Sequence, residues 1–447
     1  MVSWWLGAAL ALCSPIDARA DASTPAAADH GLVLSGRVRY VGTIGGWPLE
    51  LCGYHAQRGR LAAWATLVLE GREMLRWCSP EPPCLLWQTA LTTPNSYGGY
   101  GAAPVDWCRG RVFAVYGTRR TFVDCRYYGG ADWDYLVGDG LGVTSLDMSS
   151  GQELWTRPFA DGVVAMCAAS AGCVFVVSGE GLHVLDPASG APRLIVPTRS
   201  SQACLVQLPH APWHVLFANE QGLWRADARS AEAVWYSPAP YGQRLDIGLA
   251  GVVVGRRTAA VMTRGGVLRA VDLSSGATVW EHQPALVSAL HGTRDVLLVD
   301  SRDLSRVDAY SGASGEPMWH LAADSIGRDG VRTCAVAKGS ALVFSSETKR
   351  RRVACVRLAD GAVLARRPAS DGWNPSCATT ENSFWYRQDG STAVGLSKTT
   401  GREVGRICLT ARGRTDASAP CIGQVIGLGD LVVAEVKEGL VVVGETE

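Results

Sequence analysis

Lysine is almost absent from this chain of 447 residues: Lys338, Lys349, Lys398 and Lys437 are the only four. Arginine supplies the rest of the 42 basic residues, and 42 acidic residues balance them to a formal net charge of zero. A chain without a basic excess lacks the footprint that displaces counterions from phosphates, so the balance argues against a nucleic-acid binder. The CxxC and CxxCH spacings of zinc, redox and haem chemistry are missing as well. No HExxH pair, GxSxG elbow or Walker loop occurs, which leaves the common hydrolase and nucleotide signatures without a foothold. The 3.6-residue apolar period of an amphipathic helix is also lacking, so a helical solenoid is excluded. What the chain has in quantity is apolar residues, 47%, and glycine, 51 residues: ample core and many turns.

The N-terminus has the layout of an export signal. Trp4 to Leu12 is a short apolar run, and Ala18-Arg19-Ala20 offers small residues for cleavage. The run is shorter than the ~20 residues that span a bilayer. Residues 1–20 are expected to be a signal peptide and 21–30, rich in Ala, Ser, Thr and Pro, a flexible leader. Cys13 opens a lipoprotein alternative, although Leu12 is larger than the residue that normally precedes a lipidated cysteine. The 14 cysteines fit an oxidising compartment, periplasmic or secreted. Cys167 and Cys173 lie between two apolar runs and are expected to bond across a hairpin; Cys78 and Cys84 bracket a Pro-rich loop in the same way. Cys108 with Cys125, Cys334 with Cys355, and Cys408 with Cys421 are further pairings suggested by nearness in the chain.

The strongest signal is internal. A module recurs in which an apolar strand ends in Asp, a turn ends in Gly, and a short strand ends in Trp. It reads Ser145-Leu146-Asp147-Met148-Ser149-Ser150-Gly151 and then Trp155, returns as Asp186 to Gly190, and is clearest from Asp272 to Gly276 and Trp280. Degraded copies run from Asp227 through Ser230 to Trp235, and from Asp308 through Gly312 to Trp319 with an insertion. Others end at Gly361 and Gly401, and an early copy ends at Gly71 and Trp77. After the first gap the turns are 36 to 49 residues apart. Glycine supplies the positive φ of a tight hairpin, Asp and Ser can bond turn amides, and Trp is a large plate suited to packing between sheets. Four short strands per period of about forty residues is the pattern of a propeller blade. The expected fold is all-β: a single propeller over residues 31–447, most simply of eight four-stranded antiparallel blades. Strand material at Leu32 to Val41 and Leu431 to Val443 is expected to close the ring by pairing the two ends.

The module resembles the pyrroloquinoline-quinone-type propeller repeat, roughly Ala-x-Asp-x-x-Thr-Gly-x-x-x-Trp, over residues 140 to 409 and more weakly over 45 to 78. Trp155 and Trp280 stand at the family spacing after Gly151 and Gly276, with Trp77, Trp235 and Trp319 as further blade tryptophans. The resemblance implies either a non-catalytic binding propeller, similar to the outer-membrane assembly lipoproteins, or a quinoprotein dehydrogenase using pyrroloquinoline quinone with calcium. The adjacent cysteine pair that many such dehydrogenases carry is missing, so the reading preferred is a scaffold without cofactor for a protein partner in the cell envelope.

The first gap between turns, 71 to 151, is twice the period and suggests an insertion at about 79–140. Its Tyr97, Tyr100, Trp107, Tyr127, Tyr128 and Trp133, interleaved with glycine, form a candidate binding surface for a partner peptide or a carbohydrate, against the plainer reading of a self-packed blade. Asp132, Asp134 and Asp139 invite calcium, but Leu136 interrupts the loop pattern. Lys349-Arg350-Arg351-Arg352 reads as an exposed hairpin tip rather than a contact for an acidic partner or membrane surface, and His183 and His291 as isolated histidines, structural or exposed rather than catalytic.

Overall fold

The computed structural model describes residues 32–45, 51–57, 60–67, 72–90, 105–116, 119–123, 135–168 and, with short omissions, 173–446. Antiparallel pairing sorts the strands into eight sheets: six of four strands, one of five and one of eight. The largest consists of two four-stranded units that share the strand Glu153–Ala168, with Arg119–Val123 as an eighth strand pairing Tyr135–Asp147. The first half of that strand pairs with Tyr135–Asp147 and its last residues with Val174–Ser178. Gly162, at φ +79°, lets the backbone turn between the two roles.

Counted in this way the described residues hold nine four-stranded units, one more than the spacing of turns predicts. In chain order they occupy 51–90, 105–158, 163–197, 203–238, 253–282, 287–322, 331–368, 377–409, and lastly 422–445 together with Val38–Gly45. The ninth draws on both ends of the chain: Val38–Gly45 pairs with Gly439–Glu445, as expected of the terminal segments. Its third and fourth strands share no turn, so a count of turns cannot see it. Upstream, Leu32–Gly36 adds a fifth strand to the eighth unit by pairing with Glu403–Leu409.

The repeat has a mechanical meaning. In each of six turns the residue at the Asp position accepts a backbone hydrogen bond from a positive-φ glycine four residues on, as Asp272 does from Gly276 at 2.8 Å. Each blade tryptophan then reaches into the next unit. Trp155 Nε1 donates to Pro187 O at 2.9 Å, Trp235 to Leu273 O at 3.0 Å, and Trp319 to Leu358 O at 2.7 Å. The indole also covers the next unit's glycine so closely that a Cβ at Gly190, Gly276 or Gly361 would lie within 2.8 Å of ring carbon.

Two assignments shift. In the sixth unit the turn glycine is Gly315, at φ +73°, rather than Gly312, and Trp319 then follows at the regular spacing without an insertion. In the first unit Trp87 fills the blade position, donating to Met148 O at 2.8 Å and covering Gly151, while Trp77 stacks behind it at 5.9 Å. Gly71 falls between the second and third strands of that unit, outside the described residues, so the double gap came from the wrong starting turn. Part of what reads as an insertion is ordinary blade: Pro83–Ala90 completes the first unit, and Val105–Cys108 and Arg111–Tyr116 begin the second, while 91–104 and 124–134 lie outside the described residues.

Cores lie between neighbouring sheets. Leu75 and Trp77 pack with Val112 and Leu146, Phe113 with Val174, Phe175 with Phe217, and so on to Trp385 with Val432 and Val441. The sequence of contacts returns to its start where Gly42 approaches Pro83 and Arg39 pairs with Glu81 at 3.5 Å.

The one disulfide among the described residues joins Cys334 to Cys377, replacing the expected Cys334–Cys355 pair; Cys355 is a buried thiol. Cys334 and Cys377 stand on the innermost strands of adjacent units, and Cys334 occupies a register shift between Thr333 and Ala335. Such a bulge re-aims a side chain toward the neighbouring sheet. Cys78 and Cys84 are thiols: Cys84 lies opposite Ser79 in register, which puts it on the other face of the sheet from Cys78. Cys173 is a thiol too, and the register sets Cys167 opposite Phe175 rather than opposite Cys173. Cys125 and Cys421, like the signal and leader regions, lie outside the described residues.

Candidate functional site

Of the aromatic candidates, Tyr97, Tyr100, Tyr127, Tyr128 and Trp133 lie outside the described residues. Trp107 belongs to the innermost strand of the second unit, in register with Val112. Asp132 and Asp134 are likewise outside, whereas Asp139 stands in register with Arg119 on a hairpin that projects from the same unit. Lys349 and Arg350 are outside too; Arg352, just after them, is exposed and its amide donates to Ser345 Oγ at 2.9 Å.

A cleft of about 160 Å³ opens where the shared strand passes from the second unit to the third. Phe159 and Asp161 come from the shared strand, Ser178 and Glu180 from the turn between the second and third strands of the third unit, and His183 and Pro192 from its outer half. His183 is buried, bonds Ser178 Oγ at 2.9 Å, and meets the Phe159 ring edge-on at 5.4 Å. Burial holds its imidazole below the usual value, and the Glu180 carboxylate offsets part of that effect. The ring is therefore neutral at pH 7. The Ser178 hydroxyl also accepts from the Glu180 amide at 3.2 Å, which ties it into its own turn. With Ser178 only 2% exposed, this pair braces the hairpin and does not present a nucleophile.

A second polar group sits near the inner strands. Asp300, 1% exposed, accepts from the Thr333 amide at 2.9 Å and from Thr333 Oγ1 at 2.7 Å across the boundary between the sixth and seventh units. His291 Nε2 stands 3.6 Å from the same carboxylate. A buried carboxylate persists only when it is bonded on this scale, so the trio clamps two sheets. Sequence reasoning had singled out His183 and His291 but not Asp161, Ser178, Asp300 or Thr333. No local motif marks them, because each meets its partners only across a strand or a sheet boundary. Among the described residues no group of three His, Cys, Asp or Glu side chains is placed to hold a metal ion.

Comparison with known proteins agrees with this geometry. Residues 140–302 match the family described as outer membrane protein assembly factor BamB. The crystal structure of BamB from Moraxella catarrhalis superposes with a TM-score of 0.52 at 14% identity, covering 93% of this chain and 98% of that one. The computationally designed Ika8 protein superposes with a TM-score of 0.52 at 12% identity, covering 83% of this chain and 99% of the design. No curated protein matches the sequence. At these identities the superpositions show the fold alone: the described sheets form a β-propeller, and residues 140–302 are similar to the outer-membrane assembly-factor family.

Proposed function

We propose that this protein is an exported, non-catalytic propeller that holds a protein partner in the cell envelope. The observation that carries the reading is the match of residues 140–302 to the assembly-factor family. In this reading residues 1–20 are removed on export, 21–30 form a leader, and the mature chain works in the periplasm or is secreted; lipidation at Cys13 is the lesser variant. Tyr97, Tyr100, Trp107, Tyr127, Tyr128 and Trp133 supply the first surface to test for partner contact. Support also comes from what the described polar groups do: the Ser178–His183 bond braces a hairpin and the Asp300–Thr333 clamp holds two sheets together.

The test is affinity purification of the tagged full chain after formaldehyde crosslinking in cells, read by mass spectrometry. Amine-specific reagents suit a chain with four lysines poorly. One or a few envelope proteins enriched over an unrelated exported propeller is the expected result; recovery equal to that control overturns the scaffold. A parallel titration with pyrroloquinoline quinone and calcium separates the enzyme alternative. A ligand bound only by the native state raises Tm with concentration. The scaffold reading expects no such rise, and a stoichiometric one would shift the case to a dehydrogenase.

A further inference from the structure

Large apolar side chains that remain exposed in the described residues all lie on the outermost strands of their units, Leu154 on the strand that the second unit shares with the third. An outermost strand also carries a row of unpaired backbone groups, which proteins usually guard. Several guards are visible here. Val363–Pro368 carries Arg366 and Arg367, Pro192–Pro197 has proline at both ends, and Glu403–Leu409 is covered by Leu32–Gly36. The outermost strand of the fourth unit, Glu232–Pro238, is lightly guarded, with proline only at its end. Its one charge is Glu232, and among the described residues no strand pairs with its outer edge. Val234 and Tyr236 stand 48% and 47% exposed at alternate positions. The Tyr236 ring is already fixed, stacked on Trp224 at 4.5 Å with its hydroxyl donating to Gln221 O at 3.1 Å. An apolar platform held in place loses little entropy when something docks on it.

The chain itself shows what such an edge accepts. Leu32–Gly36 runs antiparallel along the outermost strand of the eighth unit, with Leu32 opposite Leu409 and Leu34 opposite Ile407. Leu32 and Leu34 pack against the core while Val33 between them stays 46% exposed. We propose that the edge of Glu232–Pro238 binds an extended segment of a partner protein as a fifth antiparallel strand, one with branched apolar residues at alternate positions. This deepens the scaffold reading and rests on it: backbone hydrogen bonds supply affinity, and the alternating side chains select the segment.

The probe is a short blocked peptide alternating leucine and threonine, with the same peptide N-methylated at alternate amides as its control. Hydrogen exchange across 232–238 and Trp235 fluorescence read the docking. Val234→Lys places a charge on the edge at an exposed position, outside any core cluster. The expected results are slowed exchange confined to this strand and its neighbour, binding about tenfold weaker in the lysine variant, and none with the methylated peptide. Equal binding by variant and wild type, or by the methylated peptide, overturns the proposal. So does an absence of protection, or self-association of the protein that Val234→Lys abolishes. The crosslinking purification is scored separately on both proteins. If peptide docking fails while envelope partners are still captured, the strand edge is wrong and the scaffold stands; if peptide docks while no partner is captured, the reverse holds.

Discussion

Gly276 and Trp235 form a couple that neither residue explains alone. The glycine sits at φ +71°, and a Cβ there would come within 2.7 Å of the indole, whose Nε1 is tied to Leu273 O at 3.0 Å. Where the preceding outermost strand carries Leu194 in place of tryptophan, the matching turn position is Ala231, at φ +52°. Gly276→Ala therefore meets both backbone strain and a ring that cannot retreat, and should lower stability by about 1–3 kcal/mol in urea unfolding. Ala231→Gly should change it by less than about 1 kcal/mol. The aspartates of these turns add a pH dependence. Donation from Ser274 and Ser275 lowers Asp272 from the ordinary 3.8 to about 2, and Ser149 and Ser150 do the same for Asp147. A carboxylate depressed in the folded state stabilises fully above its unfolded value, and that contribution fades as pH falls through the folded one. Tm should thus fall between pH 3.8 and about 2, and less steeply in Asp272→Asn, which is weaker at pH 7 from the outset. The turns were legible in the sequence because acceptor, glycine and the unit's own tryptophan lie within one hairpin, whereas the tryptophan that covers each glycine comes from the preceding unit. The error of reading Gly312 for Gly315 has the same origin: with Ser311 at the Asp position, two glycines competed for one role.

Between elements the sequence is less informative, because the relevant distances cross from sheet to sheet. Cys334 and Cys377 are 43 residues apart, whereas nearness in the chain pointed to Cys355. The repeat explains the outcome, since residues one period apart occupy equivalent strands of adjacent units. The disulfide thereby staples two inner strands. Closing a loop of that length removes unfolded-chain entropy worth about 4 kcal/mol in the simplest treatment. Cys334→Ser should lower the urea midpoint of the oxidised protein, Cys377→Ser should match it, and reductant should bring the wild type to the same value. A variant as stable as the oxidised wild type would mean that the bond is strained or not formed in solution. The cleft at Phe159 and the Asp300 clamp were hidden for the same reason. The strand Glu153–Ala168 serves two units, and no periodic pattern announces a strand that changes partners midway.

For the whole molecule the weak point is the seam. In a repeat array each unit touches only its neighbours, so stability is a chain of interfaces, and a ring needs one more than an open row. Here the ninth unit is assembled from strands at the two ends of the chain, and no peptide bond links Val38–Gly45 to its partner Gly439–Glu445. A carboxylate pins it to the eighth unit. Glu445 Oε1 accepts from Trp385 Nε1 at 2.7 Å, from Thr380 Oγ1 at 2.8 Å and from Ser383 Oγ. Trp385 is fully buried, so Glu445→Ala strands its indole donor without water, while Ser383 Oγ and Thr380 Oγ1 can still bond each other at 2.9 Å. Such an orphan costs about 1–3 kcal/mol, and because the three donors share one acceptor their losses will not add. Because the loss falls on one interface, its signature is spatial. Hydrogen exchange should quicken first in Val38–Gly45 and Gly439–Glu445, then in the eighth unit, while the fourth to sixth units keep wild-type protection. Uniform acceleration would show that the ring unfolds as one cooperative body, and no acceleration would show that strand pairing alone holds the seam. Only the first pattern describes a propeller that opens at its ends, which is where a strand already seated on an outer edge, Leu32–Gly36, would be released together with the seam.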